Sequence, residues 1–305
     1  MRSPQLIALA GASLALVVGG CESGESNAPI AFTLENGPLY TAASDGTGAR
    51  ALTDLPVYGT PAWSPDGTTI VFNGGEIDHG HLYTIRPDGT GRRQLTRGTA
   101  NDPVDPAWAS DAKHLAVGAA GKTGFDGDIA ILTLSDGSVT KVTTGPADDK
   151  SPQFSSDGKR IVFLREENGP PVTDTVWVVN ADGSELHRLT PTSMKASHPW
   201  WSPDGTRIVF NDGAGSVTPG SGDSHIFVMN ADGTGLRRLT HGKNSADFHP
   251  SWSPDGKTIF FTRYTFAPES RLFALYRMNV DGSGVSLVYQ TADGDANNVS
   301  IAPSD

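Results

Sequence analysis

A cassette that recurs along the chain constrains the fold more than any other feature of the sequence. It reads Pro-Trp-Trp-Ser-Pro-Asp-Gly at residues 199–205, and Ile-Val-Phe follows at residues 208–210. Two close copies and two weaker ones begin at Pro61, Pro250, Pro106 and Pro152. The aromatic residue of the cassette returns every 45 to 51 residues, at Trp63, Trp108, Phe154, Trp201 and Trp252. A period of this length is typical of a propeller or a solenoid.

Each repeat contains four strand-like pieces, which we label a to d. Piece a carries the aromatic residue, and piece b reads Ile-Val-Phe or an equivalent. Piece c alternates apolar and polar residues, as at residues 82–85, and piece d ends in Leu-Thr or a near variant. Asp-Gly turns separate a from b and c from d, and such turns close tight hairpins because Gly accepts a positive φ. Four antiparallel strands per repeat predict a propeller blade.

The two ends of the repeat region complement each other. Pieces b, c and d lie between Ile30 and Thr53, ahead of the first cassette and without a piece a. A degenerate copy of piece a, residues 299–305, follows the fifth full repeat, and no piece b, c or d comes after it. Joining these ends makes a sixth blade and removes the free sheet edges. We therefore predict an all-β fold over residues 29–305: a six-bladed β-propeller of four-stranded antiparallel blades, closed by one C-terminal strand plus three N-terminal strands.

The start of the chain differs from the repeats. Arg2 precedes an apolar run at residues 6–18, which is too short for a permanent bilayer span and has the order of a secretory signal. Val-Gly-Gly-Cys, ending at the single cysteine, Cys21, resembles the bacterial lipobox, in which the cysteine is acylated and becomes the mature N-terminus. We expect residues 1–20 to be a lipoprotein signal peptide, and residues 21–28 to be the acylated cysteine and a tether. A plain signal peptide is the alternative.

Composition limits the partners and the compartment. The formal net charge of −11 argues against nucleic acid and against docking on anionic lipid through basic residues. Thirty-six glycines and twenty-one prolines suit many short strands and turns, and no amphipathic helix is predicted after Cys21. The resemblance to the lipobox implies more in a Gram-negative host: Glu22, in place of Asp after the acylated cysteine, favours the outer membrane there, facing the periplasm or the cell surface. A closed propeller is complete as a monomer.

The repeat also resembles a known family. Trp-Ser-Pro-Asp-Gly, Ile-x-Phe, Leu-Tyr, Asp-Gly and Leu-Thr, in that order, are similar to the WD40-like (PD40) repeats of the TolB β-propeller family, over nearly all of residues 29–305. The resemblance implies the propeller fold. It leaves the function open, because the same repeats occur in periplasmic scaffolds, peptidase propellers and oligogalacturonate lyases. TolB itself has an additional α/β domain ahead of its propeller and is not a lipoprotein, so the resemblance is to the family and not to TolB.

The loops that join piece d to the next piece a differ in every blade, whereas the a–b and c–d turns are nearly identical. Variable loops on a repetitive scaffold usually carry binding specificity. The residues expected at this mouth of the central channel are Tyr58, Thr60, Asp102, Asp105, Asp149, Lys150, His198, Asp247, Phe248, His249, Asp295 and Asn297. Four of them immediately precede a cassette proline: Thr60, Asp105, His198 and His249. Ser151 holds the same place in a fifth blade, and all five side chains should point towards one axis.

The b–c loops on the same face add aromatic residues. Rings expected around the mouth, or else plugging their own loops, are Tyr58, Phe125, Phe248, Tyr264 and Phe266. An exposed rim of aromatic and charged residues would suit a protein or peptide partner. The aromatic residues of piece a are interpreted instead as packing between blades.

Two functions from different classes remain open. The first is a membrane-anchored scaffold that binds an envelope protein or peptide at the mouth, in keeping with the lack of a Gly-x-Ser-x-Gly elbow and of a His-Glu-x-x-His motif. The alternative is a metal-assisted, lyase-like carbohydrate-active enzyme or a glycan-binding module. His198, His249 and Asp105 are its candidate metal ligands. Hydrogen bonding within the loops is the simpler role for these residues, so the sequence predicts no cofactor and leaves a divalent cation in the channel as an alternative.

Overall fold

Short apolar runs that alternate with Asp-Gly turns fold this chain into strands alone. The computed structural model describes residues 28–34, 37–75, 80–97, 104–119, 127–167, 173–213, 224–242, 245–266, 271–291 and 296–303. Within these ranges the chain forms 24 strands in six four-stranded antiparallel sheets, and no helix that could cross a membrane is present. Cys21 and the predicted signal peptide lie outside the described residues.

Each sheet is one blade, and its strands follow the predicted order a, b, c, d. Blades 1 to 3 consist of β24 (Ala296–Ile301), β1 (Ile30–Leu34), β2 (Leu39–Ala42) and β3 (Arg50–Ala51); β4 (Val57–Trp63), β5 (Ile70–Gly74), β6 (His81–Ile85) and β7 (Arg93–Gln94); β8 (Val104–Trp108), β9 (His114–Ala119), β10 (Asp128–Thr133) and β11 (Val139–Lys141). Blades 4 to 6 consist of β12 (Asp149–Phe154), β13 (Arg160–Glu167), β14 (Thr173–Asn180) and β15 (His187–Arg188); β16 (Ala196–Trp201), β17 (Arg207–Asp212), β18 (Ile226–Asn230) and β19 (Arg237–Arg238); β20 (Ser245–Trp252), β21 (Thr258–Phe266), β22 (Arg271–Asn279) and β23 (Ser286–Tyr289).

The a strands line the axis of the ring, and each contacts the a strand of the next blade. The core lies between blades. Among the described residues, six hydrophobic clusters each combine side chains of two neighbouring sheets. One such cluster packs Val209 of blade 5 against Trp252 and Phe261 of blade 6. The cassette tryptophans also tie blades together: the indole Nε1 of Trp252 donates to the Trp200 carbonyl of the preceding blade at 3.3 Å. Packing between blades is therefore the role of this aromatic position, as predicted.

The ring closes as the sequence predicted. The last strand, β24, pairs antiparallel with β1 and becomes the inner strand of blade 1. Ile301 lies opposite Ile30, and the backbone N–H of Ala302 donates to the carbonyl of Pro29 at 2.8 Å. The fold is thus a six-bladed propeller closed by one C-terminal strand and three N-terminal strands.

One face of the disc, which we call the turn face, carries the a–b and c–d turns. A single device closes most of them: the Asp carboxylate accepts from a backbone N–H two residues later, as Asp204 does from Thr206 at 3.0 Å. In the a–b turn the preceding Ser202 hydroxyl also donates to that carboxylate, at 2.5 Å. The hydrogen bond from Ser202 is the main reason that the pKa of Asp204 lies below its usual range. The opposite face, with the d–a and b–c connections, is the loop face.

Two of the aromatic residues expected in a b–c loop belong to a strand. Tyr264 and Phe266 lie in β21, which pairs with β22 as far as Phe266. The alternation of side chains in this segment continues past the predicted strand end, so the longer hairpin keeps its ladder of hydrogen bonds. Phe125 lies outside the described residues.

Candidate functional site

The a strands of most blades contain the same irregularity where they enter the channel. The register with strand b shifts by one residue, and the residue at this bulge has a left-handed backbone with φ between 49° and 53°. The five residues at this position are Asp105, Ser151, His198, His249 and Asn298. The left-handed region costs a non-glycine residue about 1–2 kcal/mol. Bulges redirect side chains and are frequent next to functional sites, so the strained backbone here changes the direction of five polar side chains of four types.

In blade 2 a glycine, and not the residue before the cassette proline, has the left-handed backbone. Gly59 has the positive φ, at 67°, and Thr60 follows it before the cassette proline. Because the register shift between Tyr58 and Ala62 is longer than in the other blades, Thr60 reaches the channel without a strained backbone. Blade 2 therefore contributes a hydroxyl group to the same ring.

All of these side chains except Asn298 line one cavity at the loop-face end of the channel, which we call the mouth cavity. It has a volume of about 50 Å³. Its lining comprises Gly59, Thr60, Asp105, Pro106, Ser151, Pro152, Gln153, His198, Pro199, Trp200, His249 and Pro250. The five residues expected to point towards one axis are thus brought together, from five different blades.

The two histidines are in direct contact. Their ring centroids lie 4.0 Å apart and the rings are nearly perpendicular, at 86°. His249 Nδ1 lies 3.0 Å from Asn297 Oδ1, which also accepts from the backbone N–H of Asn298 at 2.9 Å. Because that amide oxygen is an acceptor only, Nδ1 of His249 carries the proton and Nε2 keeps its lone pair. His198 Nδ1 lies 2.7 Å from the Ser197 hydroxyl.

Burial keeps both imidazoles uncharged. It lowers the pKa of His249 to about 4, against an ordinary value of 6.5, although a hydrogen bond to Asn297 opposes the shift. Burial, followed by the neighbouring His249, also holds the pKa of His198 well below the ordinary value. At neutral pH the pair therefore consists of two neutral rings, both partly accessible from the cavity.

Asp105 is the acidic group of the mouth cavity. Burial raises the pKa of its carboxyl, and hydrogen bonds from the hydroxyl and the backbone N–H of Ser151 oppose that shift. In the part of the chain that the structure describes, no lysine or arginine forms an ion pair with this carboxylate. Lys150, the nearest predicted cation, is held by Asp174 at 2.9 Å and by Glu166 at 3.3 Å.

Three residues expected at the mouth lie inside the blades. Asp149 and Asp247 are almost fully buried, and each carboxylate forms a bidentate ion pair with the arginine opposite it on strand b, Arg165 or Arg263. Phe248 is 6% exposed and packs in a small cluster with Tyr264. Asp149 and Asp247 lie two residues before the bulge residue, where strand a is still paired in register with strand b, so each carboxylate meets the arginine opposite it and not the channel.

The remaining expected residues are distributed as follows. Asn297 supports His249 as described above, and Tyr58 lies half-buried on β4. Asp102 and Asp295 lie outside the described residues. Among the described residues, no group of three or more histidine, cysteine, aspartate or glutamate side chains is placed to hold a metal ion.

A second cavity at the turn-face end of the channel was not predicted from the sequence. Its volume is about 350 Å³, and aromatic and proline side chains from five blades line it: Trp63, Pro65, Phe154, Trp200, Trp201, Pro203, Trp252, Pro254 and Pro303 among them. Trp200 lines both cavities and lies between them along the channel. The available signal was the doubled tryptophan, because the repeat needs only Trp201.

The fold and the mouth cavity define a class of protein: a propeller that presents polar side chains from five blades to one small cavity, which suits a scaffold or binding role. Residues 32–211, more than half of the chain, match the family model of the TolB β-propeller domain, PD40. The chain therefore belongs to the TolB β-propeller family, as the cassette predicted.

Relatives and solved structures agree with this assignment. The chain is 29% identical over 161 residues to an uncharacterized protein of Agrobacterium fabrum, a match that covers 52% of this chain and 53% of the relative. The crystal structure of TolB from Acinetobacter baumannii is 20% identical with a TM-score of 0.74, over 92% of this chain and 68% of that one. An oligogalacturonate lyase from Vibrio parahaemolyticus is 16% identical with a TM-score of 0.55, over 85% and 71%. The chain thus spans about half the length of the curated relative, and the two structures show the fold alone.

Proposed function

We propose that this protein is a membrane-anchored extracytoplasmic scaffold that binds an envelope protein or peptide at the loop face, through the mouth cavity and the loops around it. One observation carries the proposal: a backbone position repeated around the ring, with a left-handed backbone in five blades, presents a carboxylate, a hydroxyl and two imidazoles from four of those blades to a single cavity. Strain of this kind persists where the surrounding structure maintains it, and it clusters at functional positions. Hairpin geometry alone accounts for the turn face, where the side chains repeat.

The anchor and the fold fit together in this proposal. Residue 28 enters blade 1 at the turn face, beside the end of β24, because Pro29 is hydrogen-bonded to Ala302. An acylated Cys21 seven residues earlier would hold that face towards the lipid. A short flexible tether reaches roughly 10–20 Å, so the loop face would point away from the membrane and towards a partner.

A lyase-like enzyme or glycan-binding module is the weaker candidate. The two histidines and Asp105 favour it, since imidazole and carboxylate groups are ligands for divalent metals. The mouth cavity has space for a few water molecules and not for a sugar ring, which argues against catalysis there. Stoichiometric metal in the purified chain, together with turnover of acidic glycans, would favour the enzyme over the scaffold.

Cross-linked capture from native envelopes tests the scaffold. The wild-type chain is compared with a mouth variant that carries Thr60→Ala, Asp105→Ala, His198→Ala and His249→Ala. The control is a turn-face variant with four threonine substitutions, Thr68→Ala, Thr90→Ala, Thr206→Ala and Thr234→Ala, which change equally many side chains on the other face. We expect a partner that wild type and the turn-face variant capture and the folded mouth variant loses. Equal capture by both variants, or no partner with wild type, contradicts the proposal.

A further inference from the structure

The wall of the mouth cavity contains a carboxylate and two imidazoles as hydrogen-bond acceptors, whereas its side-chain donors, such as the Thr60 hydroxyl and the Gln153 amide, carry no charge. His249 Nε2 offers a lone pair because Nδ1 is committed to Asn297. The carboxylate of Asp105 receives hydrogen bonds from Ser151 and has no ion-pair partner among the described residues. The backbone adds few donors, since prolines have no N–H. Four cassette prolines line the cavity: Pro106, Pro152, Pro199 and Pro250.

A wall of this composition selects the charge of its ligand. An anion would meet the Asp105 carboxylate and two imidazoles that burial keeps neutral. Lys150, whose charge acts on Asp105, is already paired with Asp174 and Glu166. A cation with several N–H groups would instead donate to Asp105 and to His249 Nε2, and its charge would be compensated by Asp105.

Size and surroundings narrow the choice further. About 50 Å³ holds an ammonium or guanidinium group and excludes an indole or a hexose. The aromatic ring of Trp200 forms part of the wall, and aromatic rings attract cations. The net charge of −11 also attracts a basic partner over a distance.

We infer that the mouth cavity recognises the cationic end of a lysine or arginine side chain on the peptide partner, with Asp105 as the counter-ion and His249 Nε2 as a hydrogen-bond acceptor. This inference rests on the proposed function, because it names the group that the partner inserts. The strained bulge then has a purpose: it aims Asp105 and His249 from two blades at a single charged group.

The test uses small probes and the full-length chain in detergent. N-acetyl-lysine methylamide and N-acetyl-arginine methylamide are titrated while the ring resonances of His198 and His249 are followed by NMR. N-acetyl-norleucine methylamide, which keeps the aliphatic stem without the ammonium group, is the matched neutral probe. We expect saturable shifts with at least one cationic probe and none with norleucine. An equal response to norleucine overturns the inference.

A substitution then locates the site. Asp105→Asn keeps the shape of the side chain and removes its charge, and we expect at least tenfold weaker binding of the cationic probe. Asp232→Asn, the same change at an exposed carboxylate in a c–d turn on the turn face, should leave the affinity unchanged. Wild-type affinity in Asp105→Asn overturns the inference, as does calcium chloride that displaces the probe at one equivalent, because the site would then belong to a metal ion.

The inference and the proposed function fail in different ways. If envelopes yield a partner that Asp105→Asn captures as well as wild type does, the scaffold stands and the recognition of a cation is wrong. If the probes bind through Asp105 but no partner is captured, the cation site stands and the scaffold is wrong.

Discussion

The two faces of this propeller use the same repeat in opposite ways. On the turn face both the backbone and the side chains repeat: the serine, aspartate and glycine of Ser202–Gly205 recur with the same hydrogen bonds in blades 2, 4 and 6. At the mouth the backbone repeats but the side chains vary: the bulge residue is Asn, Asp, Ser or His in different blades. The uniform turns therefore serve stability, and the proposed recognition would depend on the varied positions.

This difference predicts that substitutions on the two faces separate into two kinds. Changes in the turns and in the buried pairs should lower the free energy of unfolding and leave binding by the folded fraction intact. Changes at the bulge should alter binding or pH dependence at little cost in stability. The four predictions below test that separation.

The largest effect is expected from Asp247→Ala, which lies near the mouth but belongs to the stabilising part of the molecule. It leaves the guanidinium of Arg263 without its bidentate partner inside blade 6. Removing one member of a buried ion pair costs about 3–5 kcal/mol, and we expect a loss of that size in chemical denaturation. Asp54→Ala removes an exposed carboxylate and should leave the denaturation midpoint nearly unchanged. Equal losses in the two variants would show that the pair in blade 6 is not structural.

Gly46→Ala should cause the next largest loss of stability. Gly46 has φ +85°, and a Cβ atom there would lie 2.1 Å from the Val288 carbonyl oxygen of the neighbouring blade. Backbone strain and this clash together should cost about 2–4 kcal/mol. Gly48→Ala in the same turn has φ +66° and open space around the new methyl group, so it should cost only about 1 kcal/mol. Similar midpoints of urea unfolding for the two variants would contradict the close approach between the blades.

The histidine pair predicts a pH dependence of stability. The pKa of His249 is about 4 in the folded chain and 6.5 is its ordinary value. Between these values the unfolded chain binds more protons, so stability is full above pH 6.5 and falls as the pH drops towards 4. Each such histidine contributes a slope of about 1.4 kcal/mol per pH unit.

His249→Asn isolates this contribution, because asparagine tolerates a left-handed backbone and does not titrate in this range. Subtracting its stability curve from that of wild type also removes the contribution of Asp105, whose raised pKa acts with the opposite sign. The difference should decline between pH 6.5 and pH 4 and be flat above pH 6.5. A flat difference throughout would mean that His249 titrates normally.

The smallest expected effect is an increase in stability, from a substitution at the bulge. Ser151→Gly relieves a backbone at φ 53° and loses a long hydrogen bond, 3.3 Å, to Asp105. We expect stability to rise by about 0.5–1 kcal/mol. Ser155→Gly makes the same change in the same blade at the turn face, where the hydroxyl donates to Asp157 at 2.6 Å, and should lower stability by about 1 kcal/mol. If both substitutions destabilise, the bulge is not strained.

Much of this architecture follows from the sequence because it is local and repeated. The Asp-Gly turns and the spacing of the cassettes predict six blades, and the unpaired pieces at the two ends predict how the ring closes. The ring formed by Thr60, Asp105 and His198 was also predictable, since equivalent positions in a repeat point towards the same axis. The proline after most of these residues is the cue for that equivalence.

What the sequence did not predict depends on contacts across strands and between blades. The partner of Asp149 lies 16 residues away, as Arg165, and nothing in the repeat indicates it. The left-handed bulge was missed because a residue before proline ordinarily prefers an extended backbone. The perpendicular contact of His198 with His249 needs the exact spacing between two blades, which only packing determines.

The closing strand pair also determines the order of events when the chain folds. Most strands pair with a neighbour a few residues away, whereas Thr33 of β1 meets Asn297 of β24 across 264 residues. Closing so long a segment costs roughly 2 kcal/mol more in chain entropy than closing a hairpin of about 20 residues. Blades 2 to 6 can form as each hairpin becomes available, but blade 1 must wait with one edge of β1 unpaired. The first strands of the propeller to be synthesised are therefore the last to complete their sheet.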